Sequence, residues 1–357
     1  MTMPAGDLPG TGEPGMRYPA ELLEVCTARV LGGMGAPPDL ARLVGQSLVL
    51  SNLVGHDSHG IIRLLEYSGW VRQGHLVPDA RPGVSWEENG TSLVDGGWGW
   101  GQAAATLATE SIIRMTRSSG CASVVIARCN HVGRLGEYVN SIADAGMMGL
   151  AFCNTGGAVV APYGGLRRVL GTNPFAWAVP GSGRHNLVLD FSTAVIAAGR
   201  VVLAGLSGKS IEPGALLDAQ GRPSTRAEDL DSGGVLLAFG RHKGSGLSVL
   251  IDVVAGLLSG TLPACVSESG FGNGTVLMAV DLARFVAPDI FRSVSGEFAA
   301  KMYSASPTTG PRVLLPGELE AMTEAERRRD GVAIPVGVRR SLVDLAAEFD
   351  VAVPELA

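Results

Sequence analysis

Gly99-Trp100-Gly101-Gln102-Ala103-Ala104 decides how the middle of this chain is read. It follows a strand-like run, Thr91 to Val94, and opens a helix-like run, Ala103 to Met115, so it matches the G-x-G-x-x-A fingerprint of a Rossmann dinucleotide site. In that fingerprint the glycines let a pyrophosphate approach a helix N-terminus. Two features oppose the match. Trp98 and Trp100 would obstruct the pocket, and no Asp or Glu stands between Glu110 and Glu137, where a ribose-binding carboxylate should end the second strand. The stretch therefore reads as a tight strand-to-helix turn.

Outward from it, short β-rich runs at Ala122 to Ala127, Met148 to Cys153, Pro174 to Val179 and Leu187 to Leu189 alternate with a helical run, Leu135 to Ala145. This predicts an α/β sheet domain over residues 84–280. It includes a Gly/Ser/Asp-rich excursion, Ser207 to Gly234, and an apolar helix, Gly244 to Ser259, expected to lie buried against the sheet. Both flanks are helical. Residues 17–83 carry apolar residues at turn spacing (Leu22, Leu23 and Cys26, then Leu40, Leu43, Val44 and Leu48), and residues 281–357 carry helices at Glu318 to Arg329 and Arg339 to Glu348. The C-terminal helices are expected to pack on the N-terminal ones, for want of another apolar partner. Residues 1–16, rich in Gly and Pro, read as a flexible tail without the basic and apolar regions of a signal peptide.

With 46% hydrophobic and 17% charged residues and a net charge of −6, the composition suits a soluble, cytoplasmic globular protein. No basic stripe invites nucleic acid, and Asp190, Arg200 and Asp252 interrupt the most apolar stretches, which excludes a membrane span. Five scattered cysteines, never in C-x-x-C, argue against disulfides or a zinc cluster and read as small core residues. Gly208-Lys209-Ser210 ends like a P-loop, but Leu203 stands where its first glycine belongs. His56-Asp57-Ser58-His59 lacks the spacing and third ligand of a metal site, so no metal is expected.

A helix predicted from Ser58 to Trp70 would align His59, Arg63 and Tyr67 at four-residue spacing. Guanidinium, phenol and imidazole together suit a 2-oxo or 2-hydroxy acid: a fork for the carboxylate, a hydrogen bond and a proton carrier. A solvated helix face explains the spacing equally well. His131, in Asn130-His131-Val132-Gly133, sits where a strand end hands over to a helix. Arg241-His242-Lys243-Gly244 either places cations at a helix N-terminus for a phosphate or forms a basic turn. Leu189-Asp190-Phe191-Ser192-Thr193 either caps the next helix or orients a histidine. Pro316-Gly317-Glu318 reads as a strand stop and helix start.

Taken in order, Gly55-His56-Asp57-Ser58-His59-Gly60 with Arg63 and Tyr67, Asn130 to Gly133, Gly171-Thr172-Asn173-Pro174, Leu189 to Thr193, His242-Lys243-Gly244 and Pro316 to Glu318 resemble the malate/L-lactate dehydrogenase-like family over nearly the whole chain. Gly133-Arg134-Leu135-Gly136-Glu137-Tyr138 and Gly74-His75-Leu76 are most similar to its hydroxycarboxylate dehydrogenase branch. The resemblance implies a non-Rossmann sheet domain that binds NAD or NADP, a helical domain built from both chain termini, and a homodimer. It implies His59 as proton donor or acceptor, Arg63 and Tyr67 on the substrate and His131 across the pocket. Ser58, His59 and Asp190 match a relay proposed for imine reductases. Cofactor contacts would fall on His131, Asp190, Phe191, Ser192, Thr193, His242, Lys243, Asn273, Pro316, Gly317 and Glu318. The expected activity is hydride transfer between NAD(P)H and a 2-oxo acid. Cyclic imino-acid reduction and cofactor binding without turnover are the alternatives. Thr193-Ala194, Arg200 and Ser245 depart from the family pattern.

Overall fold

The computed structural model describes residues 16–356 except 184, 207, 268–270, 308, 354 and 355, so the tail expected over residues 1–16 lies outside the described residues apart from Met16. The chain enters through β1 (Met16–Tyr18), α1 (Ala20–Gly33), α2 (Pro38–Leu53) and α3 (Arg63–Arg72). Next come β2 (Gly83–Glu88), β3 (Thr91–Asp95), α4 (Gly101–Ser119), β4 (Cys121–Ala127), α5 (Leu135–Asp144) and β5 (Met147–Cys153). The middle continues through β6 (Val160–Ala161), β7 (Phe175–Val179), β8 (Leu187–Phe191), α6 (Ala198–Leu206), β9 (Leu216–Leu217), β10 (Pro223–Ser224), α7 (Glu228–Asp231) and β11 (Val235–Leu237). It closes with α8 (His242–Ser259), β12 (Thr275–Asp281), α9 (Pro288–Ser304), α10 (Glu318–Asp330), β13 (Val332–Ile334) and α11 (Val336–Glu348).

The main sheet has seven strands in the order β2-β3-β4-β12-β5-β7-β8. Only β3 and β4 run parallel, joined through α4; every other neighbouring pair is antiparallel. β4 and β5 bury alternate residues, Ala122, Val124 and Ile126 on one and Met147, Gly149, Ala151 and Cys153 on the other. That period of two packs one sheet face onto α4 and α5, with Ile112, Leu135, Val139 and Ile142 in the same core. A second core joins α1, α2 and α3 to β13 and α11, so residues from both chain ends share it. Pairing of β1 with β13 fixes that union.

Three expectations need correction. The excursion Ser207 to Gly234 carries secondary structure of its own: its β9 and β10 join β11, which follows it, and β6 in a four-stranded sheet over a small core that includes Ile211, Leu216 and Leu236. α8 packs on β4, β5 and β12 but buries one face only, leaving Val249, Leu250, Val253, Leu257 and Leu258 exposed. Of the cysteines, Cys26, Cys129 and Cys153 are buried, whereas Cys121 and Cys265 are exposed. α10 packs on α2, and α11 on α1 and α3, but α9 buries none of its residues.

Candidate active site

The predicted helix from Ser58 to Trp70 does not form as one piece. Asp57–His59 makes a single 3-10 turn, and Gly60 then adopts extended backbone (φ −83°, ψ −155°) before α3 begins at Arg63. Asn52, at the buried end of α2, is the reason. Its Oδ1 accepts the Ile61 amide at 2.9 Å, and its amide group lies so near Gly60 that a Cβ there would fall 2.2 Å from Oδ1. The same side chain donates to Asp57 Oδ1 at 2.7 Å, and Arg327 of α10 clamps the Asp57 carboxylate with two bonds of 2.6 and 3.0 Å. His59 thus reaches the site from a pinned turn and Arg63 and Tyr67 from the helix after it.

His131 comes from the connection between β4 and α5, and the glycine-rich turn before α4 explains how it is held. A Cβ on Gly101 would lie 2.3 Å from the His131 carbonyl oxygen and 2.4 Å from that of Asn130. The close approach that this glycine permits is to the His131 loop. Asn130 Nδ2 donates to the carbonyls of Trp98 (2.6 Å) and Gly99 (3.1 Å), tying the loop to the same turn. Trp100 is buried and donates from Nε1 to Pro78 O at 2.8 Å.

A buried relay fixes the imidazole. Gln102 Nε2 donates to the Tyr67 hydroxyl at 2.8 Å, so the phenol's one proton points at His131 Nδ1, also at 2.8 Å. Neutral His131 therefore carries its hydrogen on Nε2. Burial raises the Tyr67 phenol well above its ordinary range, so the relay keeps that proton. The His59 and His131 rings stack at 5.4 Å between centroids, with 29° between planes, and Ser58 Oγ lies 3.1 Å from His59 Nδ1. Burial first, and the charge of Arg63 second, hold both imidazoles well below the usual histidine range.

These groups border a cavity of about 650 Å³ lined by His56, Ser58, His59, Arg63, His131, Arg134, Asp190, Phe191, Ser192 and Asn273 among others. Such a volume suits a small substrate together with part of a cofactor. Arg63 donates from Nε to Ser58 O at 2.8 Å and from Nη1 to Glu66, which leaves Nη2 for a substrate carboxylate. Asp190 accepts the Gly136 amide at 2.7 Å. Among the described residues no hydrogen bond joins Asp190 to His59, so the Ser58-His59-Asp190 series is linked only at its first step.

The remaining predicted residues divide. Ser192 and Asn273 line the cavity, while Thr193 is buried; the Ser192 and Thr193 hydroxyls both donate to Thr172 O, at 2.9 and 3.0 Å, and so shape the loop. Tyr67 does not line the cavity and acts on it through His131. His242 and Lys243 stand exposed at the start of α8, beside Tyr163, and do not line it either. Nor do Pro316, Gly317 and Glu318: Pro316 O accepts the Val188 amide of β8 at 3.1 Å, and Glu318 accepts bonds from Tyr303 and the Leu315 amide. Sequence reasoning missed Gln102, Arg134 and the aromatic wall of Trp70 and Phe271, whose rings meet edge-on at 5.2 Å. Gln102 was visible as the one amide in an otherwise small-residue helix start; Phe271 carries no local signal.

A family model for malate/L-lactate dehydrogenase matches residues 18–343. The L-sulfolactate dehydrogenase of Methanothermobacter thermautotrophicus is 32% identical over 329 residues, 90% of this chain and 94% of that protein. Hydroxycarboxylate dehydrogenase B of Escherichia coli (strain K12) is 32% identical over 348 residues, 94% of this chain and 95% of that one. The solved malate dehydrogenase of Pyrococcus horikoshii superposes with a TM-score of 0.86 at 29% identity, over 96% of this chain and 97% of that chain. With these matches across nearly its full length, the chain belongs to the malate/L-lactate dehydrogenase family and is an oxidoreductase of the 2-hydroxy acid class.

Proposed function

We propose that the protein reduces a 2-oxo acid to the 2-hydroxy acid with NADH or NADPH, and runs the reverse oxidation. The observation that carries this reading is the convergence of His59, His131 and Arg63 on one cavity. When bound, a nicotinamide ring supplies or accepts the hydride. The substrate carboxylate docks on Nη2 of Arg63, His131 Nε2–H hydrogen-bonds the C2 oxygen, and His59 delivers the proton to that oxygen. Docking also offsets the Arg63 charge that depresses both imidazoles, so substrate binding raises their proton affinity when a proton is needed. Tyr67 and Gln102 act as positioning residues for His131.

The largely antiparallel sheet would hold the cofactor without a Rossmann crevice, through His131, Asp190, Phe191, Ser192, Thr193 and Asn273, with His242, Lys243 and Pro316 to Glu318 outside the cavity. The cavity's size and its mix of polar and aromatic lining fit a nicotinamide nucleoside. The domain reading is a helical unit of residues 17–83 with 281–357 around a sheet domain of residues 84–280; the core shared by both chain ends supports it. A homodimer is supported by the unpartnered stripe Ile290, Val294, Phe298 and Met302 on α9 and by the exposed face of α8. No helix among the described residues is long and apolar enough to cross a membrane.

The test is NADH and NADPH oxidation by purified protein against pyruvate, oxaloacetate, 2-oxoglutarate, phenylpyruvate and cyclic imines. Turnover of an oxo acid, abolished in His59→Ala, supports the reading. Turnover of imines alone favours a cyclic imino-acid reductase, for which the Ser58 to His59 contact is the supporting observation. Tight NADH binding with no product overturns the catalytic reading.

A further inference from the structure

Arg327, Arg328 and Arg329 stand in a row near the end of α10, and the first turns away from the other two. Arg328 pairs with Glu324 and Arg329 with Asp330, both residues of α10. The Arg327 side chain is 17% exposed; its Nη1 donates to Asn52 O at 2.5 Å and to Asp57 Oδ1 at 2.6 Å, and its Nη2 to Asp57 Oδ2 at 3.0 Å. A forked bond of this kind fixes direction as well as distance. Two more contacts from α10 meet the same turn. Glu320 Oε1 lies 3.4 Å from His56 Nε2, and a Cβ on Gly55 would come within 3.3 Å of Thr323 Cγ2. Positions 320, 323 and 327 share one side of a helix.

His56 and Asp57 matter because their carbonyls close the turn that carries His59: the His59 amide donates to His56 O at 2.9 Å and the Gly60 amide to Asp57 O at 3.1 Å. A lone 3-10 turn has no cooperative stability of its own, so its shape is set by what grips it. The front of α10 is seated on another wall of the cavity. Pro316 O accepts the Val188 amide of β8, and a Cβ on Gly317 would fall 3.2 Å from Asn186 O. Asp190 and Phe191, further along β8, line the cavity.

We propose that α10 is a strut between β8 and the His59 turn, and that Arg327 is a positioning residue for proton transfer that aims His59 without touching substrate or cofactor. Arg327 does not line the cavity, so its effect passes through Asp57 and Asn52. The proposal gives Pro316-Gly317-Glu318 a task that it can perform from outside the cavity, which is to seat the strut on β8. It rests on the reading of His59 as the proton carrier.

Arg327→Met should lower kcat for the oxo acid roughly 10- to 100-fold, because a proton carrier displaced by a fraction of an ångström delivers poorly. NADH affinity, titrated by fluorescence without substrate, should change by less than about threefold. The solvent isotope effect on kcat in D2O should rise, since proton delivery becomes the slow step. Asp57→Asn should cost a similar factor, and the double variant should lose no more than the larger single loss, because both act along one path. Arg327→Lys keeps the charge without the fork and should recover part of the rate. An Arg327→Met protein with a lowered Tm but unchanged kcat would make the contact purely structural and overturn the proposal. So would a kcat loss without a rise in the isotope effect, or losses in the two single variants that multiply in the double. Should Arg327→Met fail to fold, Arg327→Lys and Asp57→Asn decide by the same readouts. Wild-type turnover matched by Arg327→Met defeats this inference only; a wild-type protein that turns over no oxo acid defeats the reading beneath it as well.

Discussion

On one side of the cavity, His59 and His131 are held by buried hydrogen bonds that converge from four segments: Asn52 on the turn, Asn130 on the loop, and Gln102 with Tyr67 on the ring. At the start of α8, His242 and Lys243 stand exposed, and among the described residues no hydrogen bond holds either side chain. The first region is held in place by the protein itself; the second is a pair of exposed polar side chains that a ligand or a second subunit would have to organise. Preorganised groups are expected to govern rate and exposed ones to govern affinity.

That contrast can be broken by mutation. His59→Ala should lower kcat by about 1000-fold with little change in cofactor KM, measured by steady-state oxidation of NADH or NADPH. Arg63→Lys should raise the KM for the oxo acid roughly 10- to 100-fold because the planar fork is lost, and an unchanged KM would remove Arg63 from its role. Tyr67→Phe removes the bond that fixes His131, and kcat should fall about tenfold with an altered pH profile. Lys243→Ala should leave kcat alone and raise cofactor KM only about three- to tenfold, an effect that shrinks with added salt. A large kcat loss there would make the rim part of the preorganised wall.

The smallest effect is on stability. Both imidazoles titrate below their ordinary range in the folded chain, so as pH falls the unfolded chain binds those protons first. The stability lost this way is intact above the ordinary histidine pKa of 6.5 and declines as pH drops from there toward the depressed folded values. His131→Gln should flatten that decline in denaturant titrations at pH 7 and pH 5. A steeper fall in the variant would contradict the direction of the shift.

The order of elements was legible in the sequence because the period of two in β4 and β5 and the turn spacing in α1 and α2 report local burial. Tertiary choices were less so. Nothing in the spacing of Ser58 to Trp70 announces that Asn52 breaks the helix at Gly60, because the contact arrives from the end of another helix. Gly101 was read as part of a tight strand-to-helix turn, yet its partner, the His131 loop thirty positions on, is visible only in three dimensions. The apolar run of α8 predicts burial, but one chain alone leaves one of its faces uncovered.

The most direct test of the central claim, that the His59, His131 and Arg63 wall performs acid-base chemistry on an oxo acid, is oxo-acid-dependent NAD(P)H oxidation by wild-type and His59→Ala proteins measured side by side. Turnover is expected in the first and its near-complete loss in the second, while NADH binding persists in both. Undiminished turnover in His59→Ala would contradict it.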